Sequence, residues 1–429
     1  MNISVVLIYV VLLFFLLLLR CWIGIALGLV GFIGLCFLSN SGQLISTLTY
    51  NSLCGFTLTA VPLFVLMGEI LLRGGAGDAL YHGVGPLLER ALPGGLLHAN
   101  IVSSALFGAV CGSAIAGTAT IATVAIPELK KRSYQMPFAL GSIVGAGPLS
   151  SIIPPSLVFI IFGSLVQVSV SKLFVAGILP GVLFALLMMV AVAIVVKVRP
   201  QLVPRAPTIK LGTSLIALGK ITPIVILGLG LIYAMYGGIA TPTESAAVGV
   251  VGAVILSCGL YRRLNWHGFL EACGNTAKTC SVILFLIVGA QIFAFSISNS
   301  DLPSLLGNAF LALPGGNIMK VIILGILYII LGMFMDVVSF MIITLPVAFP
   351  IFTALGYDPL WTGVYMAYMG SIGGITPPVG LTLYMVQSIS GVPAMTIFKG
   401  SIPFLIAQIV GVIVISLFPI IVTWLPSFM

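Results

Sequence analysis

Long apolar segments follow one another along almost the entire chain of 429 residues. A helix that crosses the hydrocarbon core of a bilayer needs about 20 apolar residues, so these segments predict membrane spans. They lie at 2–19, 21–38, 54–72, 97–127, 136–165, 173–196, 212–235, 245–261, 279–298, 319–349, 360–388 and 401–424. Only 6% of the residues are charged, against roughly a quarter in soluble proteins. We therefore expect an all-α polytopic membrane protein and exclude a cytosolic enzyme, a nucleic-acid binder and a secreted disulfide scaffold.

The positions of Lys and Arg predict how the chain is oriented, because basic loops stay on the cytoplasmic side. The basic stretches are Arg20, Arg73, Lys130–Arg132, Lys197–Lys210 and Arg262–Arg263, whereas the turns at 39–51 and 236–243 carry neither residue. The segments 97–127 and 319–349 preserve this alternation if each enters and leaves the membrane on one side. We therefore predict two re-entrant helical hairpins, with tips near Gly108–Thr120 and Gly332–Thr344.

An internal repeat links the two halves of the chain. The pentad Ala-Leu-Pro-Gly-Gly occurs at 91–95 and again at 312–316, an offset of 221 residues. Farther along, the offset becomes 223 and aligns Pro154–Pro155 with Pro377–Pro378. Because these matches fall on Pro and Gly, which fix breaks in the backbone, they indicate a true duplication.

The two copies are predicted to lie upside down relative to each other. The basic loop Lys130–Arg132 aligns with the neutral stretch Thr353–Leu355, as expected when the mates face opposite sides of the membrane. Inverted repeats with broken helices are the architecture of secondary transporters, in which the binding site lies near the midplane between the halves.

The repeat also suggests four parts of the chain. We expect N-terminal membrane spans at 1–50, a first repeat at 51–205, central linking spans at 206–265 and a second repeat at 266–429. The apolar stretch at 2–19 lacks a basic start and a small-residue cleavage site, so we expect a retained span there.

The two Pro-Pro pairs, Pro154–Pro155 and Pro377–Pro378, mark the candidate site. Proline has no N–H, so carbonyls one turn earlier lose their helical donors. The affected carbonyls are those of Ser150, Ser151, Gly373 and Gly374. Together with the hydroxyls of Ser150, Ser151 and Thr376 they would offer hard oxygen ligands suited to Na⁺, and each half-helix N-terminus would attract an anion. The alternative is a plain proline kink that neighbouring helices pack against.

Asp336 is an acid inside an apolar segment, and such residues are functional candidates because they are costly to bury in a membrane. Its mate at offset 223 is Ser113, within the small and hydroxylated run Gly112–Thr118. Asp336 could therefore bind or balance Na⁺. The alternative is a neutral, hydrogen-bonded carboxylic acid with a structural role.

Other polar residues have simpler interpretations. Glu69 is expected to pair with Arg73 four residues later, and Glu244 to complete a capping box with Thr241. The three histidines are isolated, so we expect no metal site at His82, His98 or His267. The seven cysteines include no C-x-x-C pair, and we expect them to act as small buried hydrophobic residues.

Six motifs follow one another along the chain. They are VPLFVLMG at 61–68, AIPELKKR at 125–132, IPPS at 153–156, AGILPG at 176–181, YGGIATPTE at 236–244 and TPPVG at 376–380. In this order, over about residues 50–405, the chain resembles the large permease subunit of TRAP (tripartite ATP-independent periplasmic) transporters. The resemblance implies a Na⁺-driven elevator in the bacterial inner membrane. It also implies a small permease subunit, a periplasmic substrate-binding protein and a carboxylate substrate such as a C4-dicarboxylate or sialic acid.

The resemblance further implies where ions and substrate bind, namely where each hairpin tip meets its broken helix. Two or more Na⁺ ions would be held at Gly112, Ser113, Gly145, Gly147, Pro148, Ser150, Ser151, Gly332, Asp336, Gly370, Gly373 and Thr376. Substrate would be bound at Ser113, Ser151, Pro154, Asp336, Thr376 and Pro377. No organic cofactor is expected.

Other functions remain open at this point. The chain could be a Na⁺- or H⁺-coupled anion transporter of related architecture, an ion channel or a passive scaffold subunit. A membrane-embedded enzyme is disfavoured, because the sequence contains no H-E-x-x-H motif and no G-x-S-x-G motif.

Overall fold

A computed structural model describes residues 9–429, apart from positions 10, 14, 17–18, 20, 39–40, 205–209 and 301. The predicted first span at 2–19 lies largely outside the described residues. In the part of the chain that is described, all regular structure is helical, which confirms the all-α prediction. Among the residues that the structure describes, six helices are long and apolar enough to cross a membrane, or up to eight if each of two bent helix pairs counts as one span.

The helices before and within the first repeat are as follows. They are α1 (Ile23–Ile33), α2 (Ile45–Leu53), α3 (Ala60–Arg73), α4 (Ala76–Ala91), α5 (Leu96–Cys111), α6 (Ala114–Lys131), α7 (Met136–Ala146), α8 (Leu149–Ile152), α9 (Leu157–Val166) and α10 (Val170–Val198). Helices α5 and α6 form hairpin 1. The short link at 153–156, between α8 and α9, is break 1.

The central and second-repeat helices continue this order. They are α11 (Leu211–Gly219), α12 (Thr222–Tyr236), α13 (Pro242–Val254), α14 (Trp266–Ser298), α15 (Leu302–Ala312), α16 (Asn317–Gly332), α17 (Val337–Ala354), α18 (Pro359–Gly373), α19 (Leu381–Ser390), α20 (Ala394–Leu417) and α21 (Ile420–Thr423). Short 3₁₀ and π-helical turns, including Ile255–Leu260, connect them. Helices α16 and α17 form hairpin 2, and the link at 374–380 is break 2.

The two hairpins have matching dimensions. Helices α5 and α16 each have 16 residues, and α6 and α17 each have 18. Their boundaries coincide at the offsets of 221 and 223 residues that were read from the sequence. The repeated Pro and Gly positions therefore mark equivalent helix ends, and the two predicted hairpins and two broken helices are confirmed.

The two broken helices lie at the centre of the molecule. Every residue of α18 from Trp361 to Gly373 is buried, and so is every residue of α7 from Phe138 to Ala146. By contrast, α12 exposes large apolar side chains such as Ile226 and Leu229, as a lipid-facing helix would. The predicted site segments are thus enclosed by protein, where irregular backbone is tolerated in a membrane.

The two halves meet along α7 and α20, which belong to opposite repeats. A Cβ atom added to Gly141 would collide with the backbone of Gly400, so the helices touch at glycine. Close by, Gln408 of α20 donates a hydrogen bond from Nε2 to the carbonyl of Gly145, with the two atoms 2.5 Å apart. This contact fixes the end of α7 against the second repeat.

The bases of the hairpins differ between the repeats. At hairpin 1, Arg132 forms an ion pair with Glu89 of α4, whose side chain is only 2% exposed. At hairpin 2, Asn317 instead donates from Nδ2 to the carbonyl of Leu355 at 3.1 Å. The basic loop of the first repeat thus carries an ion pair at the position where the second repeat is neutral.

Candidate functional site

The tip of each hairpin is the N-cap of its second helix. Ser113 Oγ accepts a hydrogen bond from the backbone N–H of Ala116 at 3.4 Å. Its mate Asp336 accepts from the N–H groups of Val338 and Ser339 at 3.1 and 3.2 Å, and also from the Ser339 hydroxyl. Capping thus gives Asp336 a hydrogen-bonded structural role, as the alternative interpretation from the sequence expected, and binding of Na⁺ stays a prediction.

Each Pro-Pro pair separates two helices, and both Pro-Pro peptide bonds are cis. In break 1, Ser156 caps α9 by accepting from the N–H of Phe159 at 3.4 Å. In break 2, α19 begins after Gly380, which has a φ of 51° that favours glycine. The helices restart immediately after the breaks, so their N-termini lie at the interruption.

Three of the four carbonyls that we expected to be bare already accept hydrogen bonds. The Ser151 carbonyl accepts from the Ser156 hydroxyl, and the Gly373 carbonyl from the Thr376 hydroxyl at 2.8 Å. The Gly374 carbonyl accepts from the Thr382 hydroxyl at 2.6 Å. The expectation of bare carbonyls was therefore wrong at these positions, because hydroxyls within one or two turns replace the missing N–H donors. A carbonyl oxygen keeps a second lone pair that can still bind an ion.

The tip of each hairpin touches the break of its own repeat. A Cβ atom on Gly112 would lie 2.8 Å from the carbonyl oxygen of Pro155. In the second repeat, the N–H of Gly380 donates to the carbonyl of Met333 at 3.0 Å. Neither Pro-Pro pair is therefore a bend that lies far from a hairpin tip, whereas a role in ion binding stays a prediction.

Both tips and both broken helices surround one cavity of about 70 Å³. It is lined by Gly112, Ser113, Ala114, Ile115, Ser151, Leu157, Val158, Met335, Asp336, Val337, Val338, Ser371, Gly374, Leu381 and Thr382. The repeats meet directly here, since Ser151 Oγ and Ser371 Oγ lie 3.2 Å apart. Such a volume accommodates several water molecules or a small polar group.

Four helices begin at the wall of this cavity. Their first residues, which all line it, are Ala114 of α6, Leu157 of α9, Val337 of α17 and Leu381 of α19. The N-terminus of a helix carries roughly half a positive charge, so four of them favour an anion. Asp336 is the only charged side chain among the lining residues that the structure describes.

Four predicted site residues line the cavity: Gly112, Ser113, Ser151 and Asp336. The others are not among its lining residues, and they are Gly145, Gly147, Pro148, Ser150, Pro154, Gly332, Gly370, Gly373, Thr376 and Pro377. Among these, Gly332 and Gly373 bring α16 against α18, since a Cβ on Gly373 would lie 2.6 Å from the backbone of Gly332. Whether any of them holds an ion stays a prediction.

Sequence reasoning missed several lining residues. Leu157 and Leu381 open the helices after the breaks, so the first helical position after each Pro-Pro pair was the signal that pointed to them. Ser371 lies within the stretch 370–376 that the family resemblance implies for Na⁺, but it has no local signal of its own, because its mate at offset 223 is Pro148.

Unpartnered oxygens are buried between hairpin 1 and the helices α7 and α8. Asn100 Oδ1, Ser103 Oγ, Ser104 Oγ and Thr118 Oγ1 are enclosed and have no hydrogen-bond partner within the described structure. A Cβ on Gly147 would collide with Thr118 Oγ1, and Ser150 donates to the carbonyl of Ser104 at 2.9 Å. Buried polar atoms are normally paired, so these oxygens have room for a further partner such as a water molecule or an ion.

The two glutamates with simpler interpretations form the expected contacts, whereas the cysteines differ from expectation. Arg73 Nε lies 3.8 Å from Glu69 Oε2, and Glu244 forms the capping box with Thr241. The seven cysteines are free, but Cys54 and Cys258 are exposed, so the expectation that all are buried was wrong. No group of three or more metal-binding side chains occurs in the described ranges.

Comparisons with known proteins agree with this architecture. A family model described as "Tripartite ATP-independent periplasmic transporter, DctM component" matches residues 10–421. The C4-dicarboxylate TRAP transporter large permease protein DctM of Pseudomonas aeruginosa is 30% identical over 374 residues, which cover 87% of each chain. The sialic acid TRAP transporter large permease protein SiaM of Vibrio cholerae is 29% identical over 375 residues, covering 87% of this chain and 86% of that protein.

A solved structure shares the fold. The crystal structure of the YdaH transporter of Alcanivorax borkumensis matches with a TM-score of 0.59 at 15% identity, over 89% of each chain. The sequence relatives are permeases rather than enzymes. The chain therefore belongs to the TRAP transporter large permease family, whose members are multi-pass proteins of the inner membrane.

Proposed function

We propose that this chain is the transport subunit of a Na⁺-coupled system that imports an organic acid. The observation that supports this proposal most directly is the convergence of two hairpin tips and two broken helices on one cavity. In this proposal, a small permease subunit and a periplasmic binding protein complete the system, and the binding protein delivers the substrate. The relatives named above are described as transporters of C4-dicarboxylate and of sialic acid, which are carboxylic acids.

The charges around the cavity favour both an anion and a cation. The four helix N-termini suit the substrate carboxylate. Asp336 at the cavity would suit one Na⁺, and the unpartnered oxygens of Ser104 and Thr118, which do not line it, would suit a second. Each ion would offset the charge of the other in an enclosed site, which is a physical basis for coupled movement.

The movement itself is proposed to be of the elevator type. Each hairpin contacts the break of its own repeat through backbone atoms, so hairpins and broken helices would move as one body. Na⁺ would bind first and order the tips, and the substrate would then bridge them. The loaded body would shift across the membrane against the remaining helices.

Uptake into proteoliposomes tests the coupling. The chain would be reconstituted with its small subunit and binding protein, and uptake of a C4-dicarboxylate and a sialic acid would be measured under a Na⁺ gradient or a proton gradient. We expect uptake that depends on the Na⁺ gradient. Uptake driven equally well without Na⁺ would falsify Na⁺ coupling, and single-channel currents would indicate a channel instead.

A further inference from the structure

A second cavity, of about 630 Å³, opens at the N-terminal end of α4. It lies where α4 meets the bend of 52° between α11 and α12. None of its lining residues belongs to the hairpin tips or to the breaks. The polar side chains that matter here are Asp78, His82, Lys220 and Arg263.

The cavity carries a surplus of positive charge. Arg263 Nη1 pairs with Asp78 Oδ2 at 2.7 Å, and His82 Nδ1 lies 3.0 Å from Asp78 Oδ1. Asp78 is the only acid among the lining residues that the structure describes, so its charge is offset by Arg263. The positive charge of the Lys220 ammonium is not offset, because its side chain forms no hydrogen bond or ion pair within the described residues. A negatively charged ligand would complete this arrangement.

The wall beside Lys220 is apolar and faces outward. Ile216 of α11 is 70% exposed, and Leu260 is 55% exposed, although both line the cavity. The surface continues along α11 through Leu215, which is 55% exposed. An aqueous anion gains nothing from such a wall, whereas a lipid can place acyl chains against it. The basic pair Arg262–Arg263 assigns this region to the cytoplasmic leaflet, which carries anionic lipids.

We propose that this cavity binds the headgroup of an anionic phospholipid. Its phosphate would pair with Lys220, with Arg263 and His82 at the rim, while its acyl chains would lie along Ile216 and Leu260. Basic pockets between membrane helices suit such headgroups. Because α4 leads directly into hairpin 1, a lipid at this position would hold the end of α4 against α11 and α12.

Native mass spectrometry of the full-length chain in detergent tests the proposal. Phosphatidylglycerol would be titrated against the unchanged protein, Lys220→Glu and Lys210→Glu, with phosphatidylcholine as the zwitterionic comparison. Lys210 is an exposed lysine at the other end of α11 and does not line the cavity, so it is a matched control. We expect Lys220→Glu to weaken phosphatidylglycerol binding at least about fivefold, since one lysine near an anionic lipid contributes a factor of that order. Lys210→Glu should bind as the unchanged protein does.

Three results would overturn the proposal. The first is equal phosphatidylglycerol binding by the unchanged protein and Lys220→Glu. The second is an equal loss in Lys210→Glu, which would indicate general surface charge. The third is complete displacement of phosphatidylglycerol by inorganic phosphate, which would indicate a site for a free anion. Lys220→Gln would replace the charge reversal if the latter prevents folding.

Discussion

Asp336 and Ser113 hold equivalent positions in the two repeats, yet only one of them is charged. Each begins the second helix of its hairpin by accepting hydrogen bonds from backbone N–H groups. A neutral serine is sufficient for this task, since serine and aspartate cap helices about equally well. The negative charge at Asp336 is therefore not explained by capping alone, and it lies at the cavity where Na⁺ is proposed to bind.

Two substitutions at Asp336 separate the cap from the charge. Asp336→Asn keeps an oxygen that can accept the same N–H bonds, so the thermal stability should remain close to that of the unchanged protein. The half-saturating Na⁺ concentration for uptake should rise about tenfold or more, because a bond to a charged group contributes about 1.5–3 kcal/mol. Asp336→Ala should show the same loss and also lose about 0.5–2 kcal/mol of stability. Both quantities can be measured by Na⁺ titration of uptake and by thermal melting.

Ser113→Ala is the matched control for the cap. Ser113→Ala removes the equivalent N-cap. It should therefore lower the stability by about as much as Asp336→Ala does through the loss of its cap. Normal Na⁺ dependence in Asp336→Asn, together with impaired uptake in Asp336→Ala, would show that the carboxylate serves only as a cap.

At the scale of elements, each hairpin is held to its broken helix by contacts that leave no room for a side chain. Gly332, at the end of α16, lies against α18, and a Cβ there would be 2.7 Å from the carbonyl oxygen of Gly370. Because this carbonyl belongs to the backbone of the buried part of α18, it cannot move away at low cost. The position of hairpin 2 therefore depends on glycine at this contact.

Gly332→Ala should separate hairpin 2 from α18. We expect a loss of about 1–3 kcal/mol of stability from overpacking, with reduced uptake because the tip moves relative to break 2. Gly230→Ala in α12 is the control, since nothing lies within 4 Å of its added Cβ. Alanine there should be neutral or stabilise the helix by about 0.5–1 kcal/mol. Equal thermal melting and uptake in the two variants would contradict the proposed role of this contact.

Breaks and helix ends can be predicted from the sequence where single residues determine the backbone geometry, but not where they depend on contacts formed on folding. The Pro-Pro pairs and the repeated Gly positions mark the breaks and the hairpin ends, because these residues determine backbone geometry by themselves. The hydrogen bonds from the Ser156 and Thr382 hydroxyls to preceding carbonyls could not be predicted, because they form only when the chain is folded. The expectation of bare carbonyls failed for this reason.

At the scale of the whole molecule, the cavity exists only because the two repeats pack together. Ser151 and Ser371 come within 3.2 Å although 220 residues separate them. No periodicity or motif specifies such a contact, so only the family resemblance, which implies the stretch 370–376, included Ser371. Ser113 and Asp336 could be predicted, because each lies at a tip that its own sequence identifies.

The inverted arrangement predicts on which side of the membrane each hairpin base lies. Lys131→Cys and Ala354→Cys, at equivalent exposed positions, would each be introduced into a chain whose seven free cysteines are replaced. Because Lys130–Arg132 is basic and should stay in the cytoplasm, a membrane-impermeant maleimide should label Ala354→Cys in cells whose inner membrane is intact. It should label Lys131→Cys only after that membrane is permeabilised. Labelling of both from one side would place the mates on the same face, and a site at the midplane between inverted halves could not then form.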